Sequence, residues 1–209
     1  MVDKVYAVGG TVIQDNLDRI NEFAEAFPDE QIAVVTGAGK LNRYQTSVEG
    51  NNGKKDLIGI KATRLHAQTL LTAMEEAYPE VPERPVDVQK AAASGQNVVM
   101  GGLVPGYSTD AVAATIAELL DAELCIATTV DGVYTDDPEE NKDAERFEEM
   151  TVEELLDITS GSNEPGIYSV VDEAAVRIIE RSKIETKIFK ASKENISNPA
   201  EAKGTDIIH

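Results

Sequence analysis

The chain has 209 residues, 42% of them hydrophobic and 27% charged, enough for a sizeable core in one large domain or two fused lobes. Acids outnumber bases 38 to 19, a net charge of −19, and a field of that sign repels nucleic acid and anionic membranes. No apolar run reaches membrane-spanning length, and the start, MVDKVYAVGG, has no apolar leader region, so neither a membrane span nor a secretory leader is expected.

The acids are spread through FAEAFPDEQ, AMEEAYPEVPE and DDPEENKDAERFEEM rather than gathered in a tail. A solvated acidic surface, as in organisms that keep high internal salt, is the simplest reading. Any phosphate ligand must then be met by local positive groups. Cys125 is the single cysteine and sits in the apolar stretch AELCIATTV, which reads as a buried thiol. A cytoplasmic setting follows.

In chain order, KVYAV reads as a buried strand ending at Gly9-Gly10. NLDRINEFAEAF places Leu17, Ile20, Phe23, Ala24 and Phe27 at helical spacing, with Asn16 as cap and Pro28 as stop. QIAVVT is a second strand, followed by a glycine turn and a helix from about Lys40 to Val48. EGNNGKKD reads as loop, and LIGIKATRLHAQTLLTAMEEAY as a long helix ended by Pro79. RPVDV reads as a strand, and NVVMGG as another ending in a glycine pair. After the LVPGYS loop, Ser108 or Thr109 caps the helix DAVAATIAELL. ELCIATT is a strand, DGVY has Asp-Gly turn chemistry, and TDDPEENKDAERF is a polar loop. TVEELLDI is a helix with a capping box from Thr151 to Glu154. SGSNEPG is loop, VVDEAAVRIIERS a helix, and TKIFK and GTDII are strands. Strands alternating with helices predict an α/β fold with a mostly parallel sheet covered on both faces.

Three strands run into glycine turns: AVGGT, VTGAGK and VMGGLVPGYSTD. Glycines at strand ends let backbone N–H groups approach an anion, and helix N-termini add positive potential. One such turn means little, because most βα turns contain glycine for steric reasons; three together point to a phosphorylated ligand. VTGAGKLNRY is not a Walker A loop, since Val34 and Leu41 stand where Gly and Ser or Thr are needed. Lys40 and Arg43 lie one turn apart, either as an ordinary solvated face or as phosphate-facing cations. Asp110 opens a helix, either as a plain N-terminal carboxylate or as the residue that orients a cation near transferring phosphate. His66 has no metal-ligand spacing around it and reads as a packed or exposed helical residue. No Ser-His-Asp, Cys-His or zinc spacing is present, so acyl transfer and metallohydrolysis have no support.

The stretch GGLVPGYSTDAVAATIAELLDAELCIATTVDGVYTDDP resembles the amino acid kinase family and, within it, the archaeal-type branch that phosphorylates UMP. Its two motifs, PG-x-[ST]-TDAVAA and T-x-VDGVY-x-x-DP, stand in the family's order. VGGT, VTGAGK-x-x-RY, D-x-IGI-x-x-TR-x-x-A and VVDEAA-x-x-II-x-RS fall in the same order along nearly the whole chain.

The resemblance implies a three-layer αβα sandwich with two fused lobes, residues 1–122 for the acceptor UMP and 123–209 for ATP. It implies the reaction ATP + UMP → ADP + UDP, within pyrimidine nucleotide (CTP) biosynthesis. Mg²⁺ would be held mainly by the nucleotide phosphates, with no protein metal site. Carried over by position, Lys40 and Asp110 would be catalytic, Asp110 organising the site. Gly37 would face the UMP phosphate and Asp56 its ribose, while Leu103, Val104, Pro105, Gly106, Tyr107, Ser108 and Thr109 wrap the nucleotide. Gly9, Gly10, Thr11, Ala38 and Arg43 would serve the ATP phosphates, and Thr128, Thr129, Tyr134 and Asp137 the adenosine. The family also implies a homo-oligomer, a hexamer built as a trimer of dimers, with no nucleic-acid or membrane partner.

The chain departs from the pattern in several places, three of which bear on the expected site. Ala38 stands where a third glycine is usual, Thr129 where Asn is common, and SGSNEPGIYSVVD replaces a loop of small residues. Two alternatives stay open. One is a kinase of the same fold for another acceptor such as isopentenyl phosphate; Lys40, Leu41 and Asn42, where that branch carries a His, argue against it. The other is a catalytically silent nucleotide-binding or storage protein.

Overall fold

The computed structural model describes residues 1–138, 140–160 and 171–209. Among these residues seven strands form one sheet: β1 (Lys4–Val8), β2 (Ile32–Thr36), β3 (Val98–Met100), β4 (Glu123–Thr128), β5 (Glu149–Thr151), β6 (Thr186–Lys190) and β7 (Gly204–Ile208). Their order across the sheet is β3-β2-β1-β4-β6-β7-β5. Neighbours run parallel except β6 and β7, which are antiparallel.

The helices are α1 (Gly10–Asp15), α2 (Ile20–Ala24), α3 (Arg43–Thr46), α4 (Asn52–Ala73), α5 (Pro85–Ala92), α6 (Thr109–Leu120), α7 (Val152–Thr159), α8 (Glu173–Ser182) and α9 (Lys193–Ser197). They cover both faces, as the continuous apolar runs require. Every residue of β2 is buried. Side chains alternate across each strand. Val5 and Ala7 of β1 join the core beneath α5, α6 and α8, while Tyr6 and Val8 join the one beneath α1, α2 and α4. This is the expected three-layer αβα sandwich. No described helix is long and apolar enough to cross a membrane.

Several expectations need correction. PVDV is the start of α5, not a strand. Pro85 occupies the first turn, where its missing N–H costs nothing, and Arg84 pairs with Asp87 at 2.7 Å. The NNGKKD segment is helical, because the Asn51 side chain accepts from the Lys54 N–H and starts α4, which ends at Ala73 rather than Tyr78. The helix expected from Lys40 is a 3₁₀ turn, Gly39–Asn42, followed by the single-turn α3. Asn16 does not cap α2; its Nδ2 donates to the Val12 carbonyl at 2.8 Å and closes α1. The helix expected to follow it is a 3₁₀ turn, Leu17–Arg19, and then α2. The helices α1 and α9 and the strand β5 appear where none is predicted.

Other local readings hold. Ser108 caps α6, accepting from the Ala111 N–H, and both arms of the Thr151–Glu154 capping box are made. Cys125 is buried, and burial pushes its thiol up to about 12, so it stays protonated. The SGSNEPG loop falls almost wholly in 161–170, outside the described residues.

Candidate active site

Chain order reverses direction across the sheet at β1. Strands β2 and β3 lie on one side of it, and β4 and its successors on the other. In an open α/β sheet, ligands sit outside the carboxyl ends of the strands at such a point. Each glycine turn of the sequence lies at one of these ends: Gly9-Gly10 after β1, Gly37–Gly39 after β2 and Gly101-Gly102 after β3.

The first two turns are packed backbone on backbone. A Cβ placed on Gly10 would lie 2.1 Å from the Gly39 N. Gly39 adopts φ +53°, a conformation that L side chains rarely take. Gln14 of α1 ties the turns together, its Oε1 accepting the Lys40 N–H at 2.8 Å. Below them, the buried His66 of α4 meets the Gly37 carbonyl with Nδ1 at 2.7 Å. His66 is thus a packed support, as expected. The Ala38 backbone is right-handed helical, φ −83° and ψ −27°, which alanine takes without strain.

Beside these turns opens a cleft of about 330 Å³. Of the residues expected to bind UMP, Asp56, Val104, Tyr107, Ser108 and Thr109 line it; Ala38 lines it too. Asp56 is fully engaged. Its Oδ1 accepts from Gln45 Nε2 at 2.7 Å, and its Oδ2 from the Gly106 N–H at 2.8 Å. The carboxylate therefore fastens α3 and the 103–108 loop to α4. Asn42 and Gln45 also line the cleft and escaped the sequence reading, since a lone amide in a polar helix carries no local signal.

Lys40 and Arg43 are exposed and are not among the residues that line the cleft. Lys40 Nζ stands 3.8 Å from Asp15, and the Arg43 guanidinium lies 5.4 Å from the Tyr44 ring centre. An exposed pair of this kind is weak, so the Lys40 amine is available to an anion.

Two helix N-termini meet at the far wall. Ser108 caps α6, and its hydroxyl also donates to Asp172 Oδ2. Asp172 caps α8, its Oδ1 accepting from the Ala174 N–H at 2.9 Å and the Ala175 N–H at 3.2 Å. The carboxylate of Asp172 thus offsets the α8 dipole, while α6 is capped by a neutral hydroxyl and keeps its positive potential. Asp110 lies in the first turn of α6, with no hydrogen bond to its carboxyl from any described residue. Burial, and then the charge of Asp172, raise its pKa to about 7.

On the β4 side, Thr128 ends the strand, and its carbonyl accepts the Ala191 N–H at 2.8 Å. Thr129 is exposed. Tyr134 is half-buried, and its hydroxyl donates to Asp131. The Asp137 N–H donates to Asp136 Oδ1 at 2.8 Å. No three side chains able to hold a metal ion converge among the described residues.

Three glycine turns gathered at a switch point beside a cleft are the arrangement of an α/β fold that takes an anionic ligand, and the chain belongs to the amino acid kinase family, whose sequence profile matches residues 4–190. It is 44% identical over 198 residues to the uridylate kinase of Methanococcoides burtonii, covering 88% of this chain and 85% of that protein. It is 38% identical over 215 residues to the uridylate kinase of Archaeoglobus fulgidus, covering 97% of this chain and 98% of that one. The crystal structure of the Archaeoglobus fulgidus uridylate kinase superposes with a TM-score of 0.88 at 36% identity, covering 99% of this chain and all of that one.

Proposed function

We propose that this chain transfers the γ-phosphoryl group of ATP to UMP, giving ADP and UDP for pyrimidine nucleotide synthesis. The observation that carries this reading is the placement of an acceptor-sized cleft beside the paired glycine turns, at the point where chain order reverses across the sheet. The likeness to uridylate kinases over most of both chains supports it.

UMP occupies the cleft, with Asp56 at its ribose and the 103–109 loop around base and phosphate. Residues 1–122 form the acceptor half. ATP occupies the half formed by 123–209, its phosphates reaching Gly9, Gly10 and Thr11, and Thr128, Thr129, Tyr134 and Asp137 lining the adenosine. The UMP phosphate is already an anionic nucleophile, so no general base is required. Catalysis is alignment and charge neutralisation by backbone N–H groups, the α6 N-terminus and the cations Lys40 and Arg43. The site fits a metal-bearing nucleotide, because it offers phosphate-binding N–H groups rather than a side-chain cage. When bound on the ATP phosphates, Mg²⁺ would supply positive charge against the charge that develops there. A cytoplasmic setting and a hexamer of three dimers belong to the same reading.

A coupled ADP-release assay with UMP, CMP, AMP and isopentenyl phosphate tests the reaction. UMP should be turned over best. Preference for another acceptor reassigns the substrate, and no turnover at any salt concentration overturns the kinase reading. Within the acceptor half, Asp56→Ala frees both Gln45 and Gly106. It should raise KM for UMP about 10-fold or more while KM for ATP stays within about twofold. Equal changes in both would remove Asp56 from the acceptor side.

A further inference from the structure

The segment after β4 is anchored far along the chain. Phe147 N–H bonds the Val133 carbonyl at 3.0 Å and Thr135 N–H bonds the Glu145 carbonyl at 2.9 Å, so residues 133–135 pair antiparallel with residues 145–147. Thr205 of β7 clamps this pairing. Its Oγ1 accepts from the Val133 N–H at 2.9 Å and donates to the Phe147 carbonyl at 2.6 Å. Arg146 crosses the same junction. Its side chain is 11% exposed, and Nη1 donates to the carbonyls of Gly204 and Phe147. Its Nε has no hydrogen-bond partner among the described residues and lies 4.0 Å from Asp131 Oδ2. Lys203 reaches that same oxygen at 2.9 Å. The other oxygen of Asp131 accepts the Tyr134 hydroxyl.

A carboxylate therefore stands between two cations and the Tyr134 ring. Burial works to raise the Asp131 pKa, but the Tyr134 hydrogen bond and Lys203 outweigh it and hold the carboxyl below its ordinary value. The bond to Asp131, and then burial, raise the Tyr134 pKa, which keeps the phenol a donor at neutral pH. The planar guanidinium of Arg146 addresses Asp131, the Gly204 carbonyl and the Phe147 carbonyl at once, which a lysine ammonium cannot do in the same geometry.

We propose that Arg146 and Lys203 are positioning residues for the phosphoryl donor: through Asp131 they fix Tyr134, and with it the adenosine-side wall at the carboxyl end of β4. The inference rests on the assignment of this half to ATP.

The test compares Arg146→Lys, Asp131→Asn and Tyr134→Phe with the wild type. The readouts are binding of a fluorescent ATP analogue, steady-state kinetics with each substrate varied in turn, and thermal melting. Arg146→Lys and Asp131→Asn should each weaken analogue binding and raise KM for ATP about 10-fold, with kcat and KM for UMP within about twofold. Tyr134→Phe keeps the ring and should give the same split at about threefold. Adding Asp131→Asn to it should cost little more in ATP affinity than Asp131→Asn alone, because both changes act on the same hydrogen bond, the asparagine by removing its charge and the phenylalanine by removing its donor. Unchanged KM for ATP in the folded variants overturns the proposal. So does a parallel rise in KM for both substrates, which marks general loosening. If Arg146→Lys does not fold, Asp131→Asn and Tyr134→Phe decide the matter. A wild-type protein that binds no ATP analogue overturns the donor assignment itself, and this inference with it.

Discussion

Replacing Gly10 with alanine should abolish measurable turnover and cost about 3 kcal/mol or more of stability. The same change at Gly9 should leave the melting temperature nearly unmoved. The two glycines are neighbours, but their surroundings differ. A Cβ on Gly10 would sit 2.1 Å from the Gly39 N, 2.4 Å from the Ala38 carbonyl carbon and 2.5 Å from the Gly37 O. All three are backbone atoms, so no side chain can rotate away and the two turns must part. A Cβ on Gly9 meets only the Ala127 O and Val12 Cγ2, each at an ordinary 3.7 Å. Gly9→Ala should therefore act on the approach of the ATP phosphates, as a raised KM for ATP in a protein of normal stability. Melting curves and kinetics of the two variants check this. A Gly10→Ala protein that melts within a few degrees of the wild type would refute the close contact.

Asp110→Asn should lower kcat at least about 100-fold while making the protein more stable at pH 8. The folded-state pKa of Asp110 is raised to about 7 by burial and by Asp172, against about 3.9 when unfolded. Between these values the folded state binds the extra proton. Stability from this group is thus greatest at low pH and is lost as pH rises from about 4 through about 7. The loss is at most about 4 kcal/mol, and the partial exposure of the residue reduces it. Asparagine removes the ionisation, so the variant should gain roughly 1–2 kcal/mol at pH 8, or about 2–8 °C, with the gain fading toward pH 4. A carboxylate that served only the α6 dipole would give the opposite sign, a loss of about 0.3–1 kcal/mol. Melting curves of both proteins from pH 4 to 8, with kcat, separate the two roles.

The long apolar strands were legible because burial on both faces demands such runs: KVYAV, QIAVVT and TKIFK lie where their composition puts them. So was the capping box at Thr151, whose signal is entirely local. The failures have non-local causes. β5 has three residues, one of them buried, and it exists because β7 offers it a partner. α1 opens on Gly10, which read as turn because glycine is a poor helix former; the packing of Gly39 against it sets that choice. In the candidate site, the strand-end rule picked out segments that the fold brings side by side, because all of them follow parallel strands. Asn42, Gln45, Gln14 and Asp172 gave no such signal, since their roles depend on which helices come together. Lys40 and Arg43 stood out by charge alone, and the structure places them on the surface rather than in the cleft lining.

The position of β7 between β6 and β5 has a consequence for how the protein is made. β7 leaves the ribosome only after β5, α7, α8 and β6. Until it does, β6 presents an unpaired edge and β5 has no strand to join. The half of the sheet that begins with β1, β2 and β3 can assemble early, from strands that pair in order of synthesis. The other half waits for a strand that must slip into a gap already bounded on both sides. That interval is when a nascent chain is most open to wrong partners. A surface of like charges, which keeps incomplete molecules apart, is well suited to bridging it.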